Sequence, residues 1–238
     1  MNNVVVGSGL IAKHFKGFVS HSPTVIFASG VSNSSEVCDH QFKREEHLLK
    51  KYLLLYPHHT FVYFSSCALL LDNNSTPYFD HKRRMEELVL SSPSSLVLRV
   101  PQVVAPCNNN TLISNFVRSL YFSHPLSLQT KSTRRLIDIS DILRLTTIVL
   151  NTLSLDDPLL LCLSPKYSCT PYEIVLFLSN LLDLPLPPIH HIDAGRHEPF
   201  VPALLPPFLL PNDSLCLPSY WKNCLTAHAS GYLKLISA

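Results

Sequence analysis

Short runs of apolar, often β-branched residues alternate with amphipathic stretches over the first hundred residues of the chain. Such runs are typical of buried parallel strands, and the stretches between them carry apolar residues at helical spacing. The predicted strands are residues 4–6, 24–28, 60–64 and 95–100. The predicted helices between them are residues 11–18, 36–56 and 81–90. This alternation predicts an α/β fold with a parallel sheet.

The pattern loosens after residue 107. Helices are predicted at residues 112–121, 141–153, 171–182 and 220–236, with short strands at 126–128 and 159–163. Residues 185–218 hold many of the 19 prolines and are expected to form an irregular covering segment, in which residues 200–210 act as a lid. We therefore expect a core in residues 1–106. Residues 107–238 are expected to form a small C-terminal substrate lobe and covering segments interleaved with the core.

Composition narrows the function classes. The 238 residues include 19 Lys and Arg against 17 Asp and Glu, and charged residues make up only 15%. That balance argues against a disordered chain and against a nucleic-acid binder that relies on bulk positive charge. Seven scattered cysteines without a CxxC pair indicate reduced thiols in a cytoplasmic protein. No signal peptide or membrane span is predicted, and no metal site, because the histidines near residue 190 lack ligand spacing.

A glycine-rich segment, Gly7-Ser8-Gly9-Leu10-Ile11-Ala12, follows the first predicted strand and precedes a helix. The first glycine permits a tight turn, the second admits a pyrophosphate to the backbone, and the small alanine allows close helix packing. The pattern favours dinucleotide binding over a plain tight turn. One part of the fingerprint is missing, since no acidic residue precedes Glu36. Lys43 and Arg44 are the nearest bases and are expected to lie a helix away, so neither NAD nor NADP is selected strongly.

Tyr78 and Lys82 stand four residues apart on a predicted helix, just after a strand that ends in Ser65-Ser66-Cys67. One helical turn places the two side chains on the same face. A lysine ammonium beside a phenol is expected to lower the pKa of the phenol, which would make Tyr78 a usable acid and base. A YxxxK pattern alone is usually a surface pair, but its place after this strand favours a catalytic site.

Five segments in this order resemble the extended short-chain dehydrogenase/reductase family, and within it the NAD-dependent nucleotide-sugar epimerases and dehydratases. They span residues 4 to about 150. The matching segments are Gly7-Ser8-Gly9-Leu10-Ile11-Ala12, Phe61-Val62-Tyr63-Phe64-Ser65-Ser66-Cys67-Ala68, Pro77-Tyr78-Phe79-Asp80-His81-Lys82, Leu98-Arg99-Val100-Pro101-Gln102-Val103-Val104-Ala105-Pro106 and Arg134-Arg135-Leu136-Ile137-Asp138-Ile139-Ser140-Asp141.

The resemblance implies a Rossmann-like sheet and a role for each matching residue. Tyr78 would be the proton donor and acceptor, Lys82 would tune it, and Ser66 or Cys67 would bind the reacting oxygen. The residues implied in binding NAD or NADP are Gly7, Ser8, Gly9, Leu10, Ile11, Ala28, Ser29, Gly30, Ser65, Tyr78 and Lys82. The residues implied in binding a nucleotide sugar are Val31, Ser32 and Arg134, the last through the diphosphate. A place in polysaccharide biosynthesis and a homodimer are further implications.

The chain departs from the family in ways that keep two hypotheses open. Residues 28–31 look like a loop that the family places later, so two strands on the adenine side of the sheet are expected to be deleted. Cys67 stands where the family has serine or threonine, and a thiol is a weaker hydrogen-bond donor. One hypothesis is an active oxidoreductase; the other is a degenerate, non-catalytic Rossmann module that binds a nucleotide sugar or a protein.

Several charged residues also have simpler interpretations. Arg134 could be a surface arginine, and Asp138 and Asp141 are expected to be structural. The mixed-charge runs at residues 43–46 and 82–87 are expected to be solvated helix faces.

Overall fold

A computed structural model describes residues 3–71, 76–107, 110–202 and 213–237. The strands are β1 (Val4–Val6), β2 (Thr24–Phe27), β3 (Thr60–Ser66), β4 (Ser95–Val100), β5 (Gln102–Val104), β6 (Leu126–Gln129), β7 (Leu136–Asp138), β8 (Leu159–Cys162) and β9 (Ile189–Ile192). The helices are α1 (Leu10–His14), α2 (Asp39–Leu55), α3 (Pro77–Leu90), α4 (Leu112–Tyr121), α5 (Ile139–Thr152), α6 (Pro171–Leu182) and α7 (Tyr220–Ser237). Contacts divide the described residues into two compact units. The first comprises residues 3–100, 140–163 and 201–202, and the second comprises residues 101–139, 164–200 and 213–237.

A parallel five-stranded sheet forms the centre of the first unit, in the order β1-β2-β3-β4-β8. The α/β prediction is therefore confirmed. β1 lies at an edge of the sheet. In a doubly wound sheet the first strand is flanked on both sides, and the described residues place no strand beyond β1. The sheet is thus shortened on the side where the sequence indicates a deletion.

Alternating side chains of β3 reach both faces of this sheet. Phe61 and Tyr63 pack with Leu49 of α2 and with apolar residues of α3 in one core cluster. Phe64 points to the other face, where its ring centroid lies 5.4 Å from that of Phe15, the residue that ends α1. The strand is nearly all buried, as expected for a parallel strand covered on both faces. Because packing on both faces fixes β3, the residues at its C-terminal end also have a fixed position.

The second unit contains two parallel strand pairs, β5 with β7 and β6 with β9. The expectation of an irregular segment from residue 185 is wrong for β9, because its backbone pairs with β6 and the pairing continues where the Thr130 N–H donates to the Ile192 carbonyl over 3.0 Å. The lid expected at residues 200–210 falls largely outside the described residues. None of the helices in the described ranges combines the length and apolarity that crossing a membrane requires.

Candidate active site

Tyr78 and Lys82 lie one turn apart on α3, both buried. The start of the helix is fixed by Thr76, whose hydroxyl accepts the Phe79 N–H over 3.3 Å, and by Pro77 in the first turn. Both features are typical of a helix N-terminus. The expectation that the helix places both side chains on one face agrees with this arrangement.

The hydroxyl groups of Tyr78 and Ser66 share a hydrogen bond. Ser66 is the last residue of β3, and its hydroxyl also accepts the Ala68 N–H over 3.2 Å. Cys67 is fully buried, and its thiol donates to the Arg99 carbonyl over 3.4 Å. Of the two residues that the sequence left open, the structure brings Ser66, and not the Cys67 thiol, to the Tyr78 hydroxyl.

The ammonium group of Lys82 is held by two partners. It donates to Glu45 Oε1 over 3.1 Å and to the Tyr63 hydroxyl over 2.9 Å. The same atom lies 6.0 Å from the centroid of the Tyr78 ring, near the outer limit of a cation–π contact. Lys82 is therefore close to Tyr78 but bonded elsewhere.

Glu45 is the centre of this cluster and is 0% exposed. Its carboxylate accepts hydrogen bonds from four donors on three segments of the first unit. The donors are the Val31 N–H at 2.6 Å, the Tyr63 hydroxyl at 2.6 Å, His81 Nε2 at 3.0 Å and Lys82 Nζ at 3.1 Å. Burial by itself would raise the pKa of Glu45, but Lys82 and the other donors outweigh it and lower that pKa to about 2. Glu45 is therefore ionised at neutral pH.

The pKa of Tyr78 is raised to about 12, first by burial and then by the Glu45 carboxylate, while the hydrogen bond with Ser66 acts in the opposite direction. The expectation of a lowered pKa is therefore wrong for this structure. It assumed that Lys82 presents an uncompensated positive charge to the phenol. The carboxylate of Glu45 compensates that charge.

Gly7 and Gly30 lie in loops at the end of the sheet, and each allows a close approach that a side chain would block. Gly7 has φ +126°, and a Cβ there would lie 2.4 Å from the Ala28 carbonyl oxygen. A Cβ on Gly30 would lie 2.7 Å from Lys82 Nζ and 2.9 Å from Glu45 Oε1. Only glycine fits either position without a shift. The loop after β2 is thereby laid directly over the Glu45–Lys82 pair.

The glycine-rich segment itself is open to solvent. Gly7, Ser8 and Gly9 are exposed, and a Cβ on Gly9 would meet nothing within 4 Å. Leu10 and Ile11 begin the five-residue α1. The loop therefore leaves room for a ligand to approach its backbone, as the sequence motif predicts.

A basic group does lie at the end of β2, contrary to expectation. The guanidinium of Arg44 donates to the Ser29 carbonyl over 3.1 Å and to the Ser29 hydroxyl over 3.3 Å. The sequence placed Arg44 a helix away, but α2 begins at Asp39, and its early turns run alongside the loop after β2. Arg44 is exposed.

The residues implied in substrate binding have separate environments. Val31 is buried and bonded to Glu45 through its N–H, whereas Ser32 is exposed. Arg134 belongs to the second unit, where its backbone exchanges two hydrogen bonds with Cys169 and its guanidinium donates to the Thr133 carbonyl over 2.9 Å.

Asp138 and Asp141 make structural contacts. The Asp138 carboxylate lies 2.8 Å from His228 Nε2, and the Asp141 carboxylate accepts from Arg144 over 2.7 Å. No group of histidine, cysteine or acidic side chains in the described ranges is arranged to hold a metal ion.

Sequence reasoning missed three members of the cluster. Glu45 was assigned to a solvated helix face, and Tyr63 and His81 were not considered. A signal for Glu45 exists in the sequence, because Phe42, Glu45 and Leu49 follow one another at helical spacing and all three are buried. A charged residue inside an apolar stripe indicates a buried partner.

Comparison with known proteins supports the fold. No protein-family model matches the chain, and no curated protein sequence matches it. Solved structures do. A mutant of the UDP-glucuronic acid 4-epimerase from Bacillus cereus, in complex with a fluorinated UDP-sugar and NAD, is similar with a TM-score of 0.72 and 14% identity, over 99% of this chain and 100% of that chain.

Two further structures agree. RMD from Pseudomonas aeruginosa, complexed with NADPH, has a TM-score of 0.67 and 15% identity, over 93% of this chain and 98% of that chain. The dTDP-glucose 4,6-dehydratase from Bacillus anthracis, in complex with NAD, has a TM-score of 0.65 and 14% identity, over 98% and 96% of the two chains. The resemblance found in the sequence motifs is confirmed at the level of the fold: this chain has the Rossmann-like fold of the nucleotide-sugar epimerases and dehydratases.

Proposed function

We propose that this chain is an NAD(P)-dependent oxidoreductase that acts on a nucleotide sugar, of the epimerase, dehydratase or ketoreductase type. The observation that carries the proposal is the hydrogen bond between Tyr78 and Ser66, with Lys82 one helical turn from Tyr78. Proton transfer to a carbonyl oxygen needs a positioned acid, and the phenol of Tyr78 can serve as one. The neighbouring hydroxyl and lysine can orient and tune it. Similar folds solved with NAD or NADPH support the choice of cofactor.

The residues present fit a dinucleotide at its pyrophosphate. Gly7 makes the turn, and Gly9 leaves its backbone open to a phosphate. Residues 28–30, with Ser65, Tyr78 and Lys82, would line the rest of the cofactor site. The bound dinucleotide would supply or accept a hydride.

In the proposed mechanism the chain's own residues handle the proton. Tyr78 is protonated at neutral pH, because its pKa is raised to about 12, so its hydroxyl donates the proton to the reacting oxygen. Ser66 donates a hydrogen bond to the same oxygen and aligns it. Lys82 places its ammonium group next to the phenol and would stabilise the phenolate that forms when the proton leaves.

The substrate contacts rest on the resemblance. Arg134 would bind the diphosphate of a nucleotide sugar, since a guanidinium matches phosphate geometry, and Val31 and Ser32 would contact the sugar. The similar epimerase was solved with a UDP-sugar, which supports this class of substrate. A cytoplasmic location, a role in polysaccharide biosynthesis and a homodimer belong to the same proposal. None of the seven cysteines, all of them within the described residues, forms a disulfide, as is usual in the reducing cytosol.

The proposal favours NAD slightly over NADP. No acidic residue ends β2 to bind the ribose hydroxyl, and the one guanidinium there, that of Arg44, is already bonded to Ser29. We therefore expect the two dinucleotides to differ by less than about tenfold in affinity. A hundredfold preference for NADP(H) in competition binding would contradict this expectation.

Turnover tests the proposal. With a panel of nucleotide sugars and each dinucleotide, Tyr78→Phe is expected to lower kcat by about 10²-fold or more while the circular dichroism spectrum stays unchanged. The matched control is Tyr172→Phe, which removes a hydroxyl from an exposed tyrosine of α6 and is expected to keep full activity. Full activity in Tyr78→Phe would remove the mechanism.

A non-catalytic binding module remains the second candidate, and a specific observation favours it. Burial and the Glu45 carboxylate raise the pKa of Tyr78, whereas a catalytic base needs a lowered pKa. If this candidate is correct, the protein turns over no substrate with any dinucleotide. It then only binds a nucleotide sugar or a protein.

A further inference from the structure

We propose that Glu45 is a positioning residue of the site: its carboxylate fixes the Lys82 ammonium against Tyr63 and offsets the positive charge that Lys82 would otherwise present to Tyr78. The proposal deepens the proposed function and rests on it for its catalytic meaning. It concerns only side chains of the first unit.

Glu45 joins four separate segments of the first unit. It lies on α2, and its donors come from the loop after β2, from β3 and from α3. His81 is fully buried and stacks on Phe42 with ring centroids 4.7 Å apart, which fixes the ring whose Nε2 donates to Glu45. With a donor on every side, the carboxylate has one position. Lys82, which bonds to Glu45 and to Tyr63, then has one position as well.

The close fit of Gly30 supports the same conclusion. Since a Cβ there would lie under 3 Å from both Lys82 Nζ and Glu45 Oε1, the loop backbone closes one side of the pair. The pair is thus enclosed by a loop, a strand and two helices. In such surroundings a buried ammonium without a carboxylate partner strongly destabilises the fold. Glu45 is the carboxylate that Lys82 has.

The charged and polar groups around Tyr78 and Lys82 come from several elements. Glu45 lies on α2, Lys82, His81 and Glu86 lie on α3, and Tyr63 and Ser66 lie on β3. Glu86 is paired with Arg99 over 2.6 Å, and Tyr63 is held un-ionised by burial and by Glu45, which raise its pKa. Burial raises the pKa of Tyr78 first, and Glu45 is the charge that adds to this effect.

Removal of the Glu45 charge is expected to lower the pKa of Tyr78. If Lys82 stays charged in Glu45→Gln, its ammonium acts on the phenol without compensation and favours phenolate. If Lys82 loses its proton, both charges disappear, and the charge that raises the pKa of Tyr78 is that of Glu45. Either outcome lowers the pKa of Tyr78.

The experiment is a titration of Tyr78 by ¹⁹F NMR in protein labelled with 3-fluorotyrosine, whose phenol is more acidic than that of tyrosine. The chain has nine tyrosines, and Tyr78→Phe assigns the resonance. In Glu45→Gln the Tyr78 midpoint is expected to fall by about one pH unit or more. The matched control, Glu46→Gln, removes the next carboxylate on the same helix, which pairs with Lys50 on the surface, and is expected to leave the midpoint unchanged.

An unchanged or higher midpoint in folded Glu45→Gln overturns the proposal. If Glu45→Gln does not fold, Lys82→Met takes its place: it leaves the Glu45 charge without compensation, so the midpoint must rise, and a fall or no change overturns the proposal. Glu45→Asp keeps the charge and is expected to retain most of the parental midpoint. The titration uses no cofactor, so it can succeed even where dinucleotide binding and turnover are absent, and failure of the proposed function is seen separately.

Discussion

Two buried glutamates of this chain, one in each unit, have opposite charge behaviour. Glu45 in the first unit accepts from four donors, one of them an ammonium, and its pKa is lowered to about 2. Glu198 in the second unit is 9% exposed, and its carboxylate accepts the Arg135 N–H over 2.7 Å. Burial raises the pKa of Glu198, and neither that N–H nor the charges of Arg134 and Arg135 compensate fully.

The difference lies in where the nearby cation directs its N–H groups. Lys82 donates directly to the Glu45 carboxylate. Arg135 directs Nη1 to the carbonyls of Pro165 and Lys166, and Nη2 lies 3.5 Å from the Glu198 carbonyl. Burial alone therefore does not decide the charge of a carboxyl group; the charge depends on whether the donors outweigh burial. The first unit keeps a buried charge at its candidate site, and the second unit uses its arginine to tie backbone segments together.

The largest expected effect comes from breaking the Glu45–Lys82 pair. Glu45→Leu leaves a buried ammonium without its carboxylate, so the free energy of unfolding should fall by about 3–5 kcal/mol. Urea denaturation followed by circular dichroism measures it.

The double variant Glu45→Leu with Lys82→Met tests whether the loss is electrostatic. With both charges gone, the double variant should be more stable than Glu45→Leu alone. Additive losses would contradict the assignment of a buried pair.

A smaller effect is expected from Gly30→Ala. Its Cβ would enter the space within 3 Å of Lys82 Nζ and Glu45 Oε1, so the pair must shift, at a cost of about 1–3 kcal/mol in unfolding free energy. Gly9→Ala is the control, because a Cβ there meets nothing within 4 Å. Equal losses for the two variants in thermal or urea unfolding would show that the loop does not press on the pair.

The pH dependence of the unfolding free energy should have opposite signs for Glu45 and Glu198. The folded pKa of Glu45, about 2, lies below the ordinary value of 4.5, so Glu45 stabilises the fold above pH 4.5, and this contribution is lost as the pH falls from 4.5 to about 2. The folded pKa of Glu198 is raised, so its contribution is present below pH 4.5 and is lost as the pH rises through that raised value. Urea unfolding of each Glu→Gln variant against the parent, across pH, measures both slopes. Slopes of the same sign would contradict the comparison.

The smallest effect is expected from Glu198→Gln below pH 4.5. The carboxyl group is protonated there, and a glutamine amide has the same shape and a carbonyl that can still accept the Arg135 N–H. The unfolding free energy should change by less than about 1 kcal/mol. A loss as large as that of Glu45→Leu would show that Glu198 is charged in the folded protein.

The sequence predicts the parts of the molecule that follow from local patterns. The strand and helix alternation predicts the five-stranded sheet, and the deletion inferred from residues 28–31 agrees with β1 at the sheet edge. The YxxxK spacing places Tyr78 and Lys82 on one helix face. All of these depend on residues that are close in sequence or on regular periodicity.

The partners of Lys82 could not be predicted in the same way. Glu45 and Lys82 are 37 residues apart, and each lies in a run of mixed charges that resembles a solvated face. Only the helical register shows that Glu45 belongs with the buried Phe42 and Leu49. The pKa of Tyr78 was expected in the wrong direction because it is raised first by burial of the phenol and then by a carboxylate from a distant helix.

The central claim, a dinucleotide site built on the glycine loop and completed by Tyr78 and Lys82, is tested most directly by calorimetric titration of the intact chain. NAD, NADH, NADP and NADPH are titrated separately under one set of conditions. We expect micromolar binding of at least one of them, with NAD(H) and NADP(H) within about tenfold of each other. If none of the four dinucleotides binds, the claim is contradicted, and the chain is then a non-catalytic binding module.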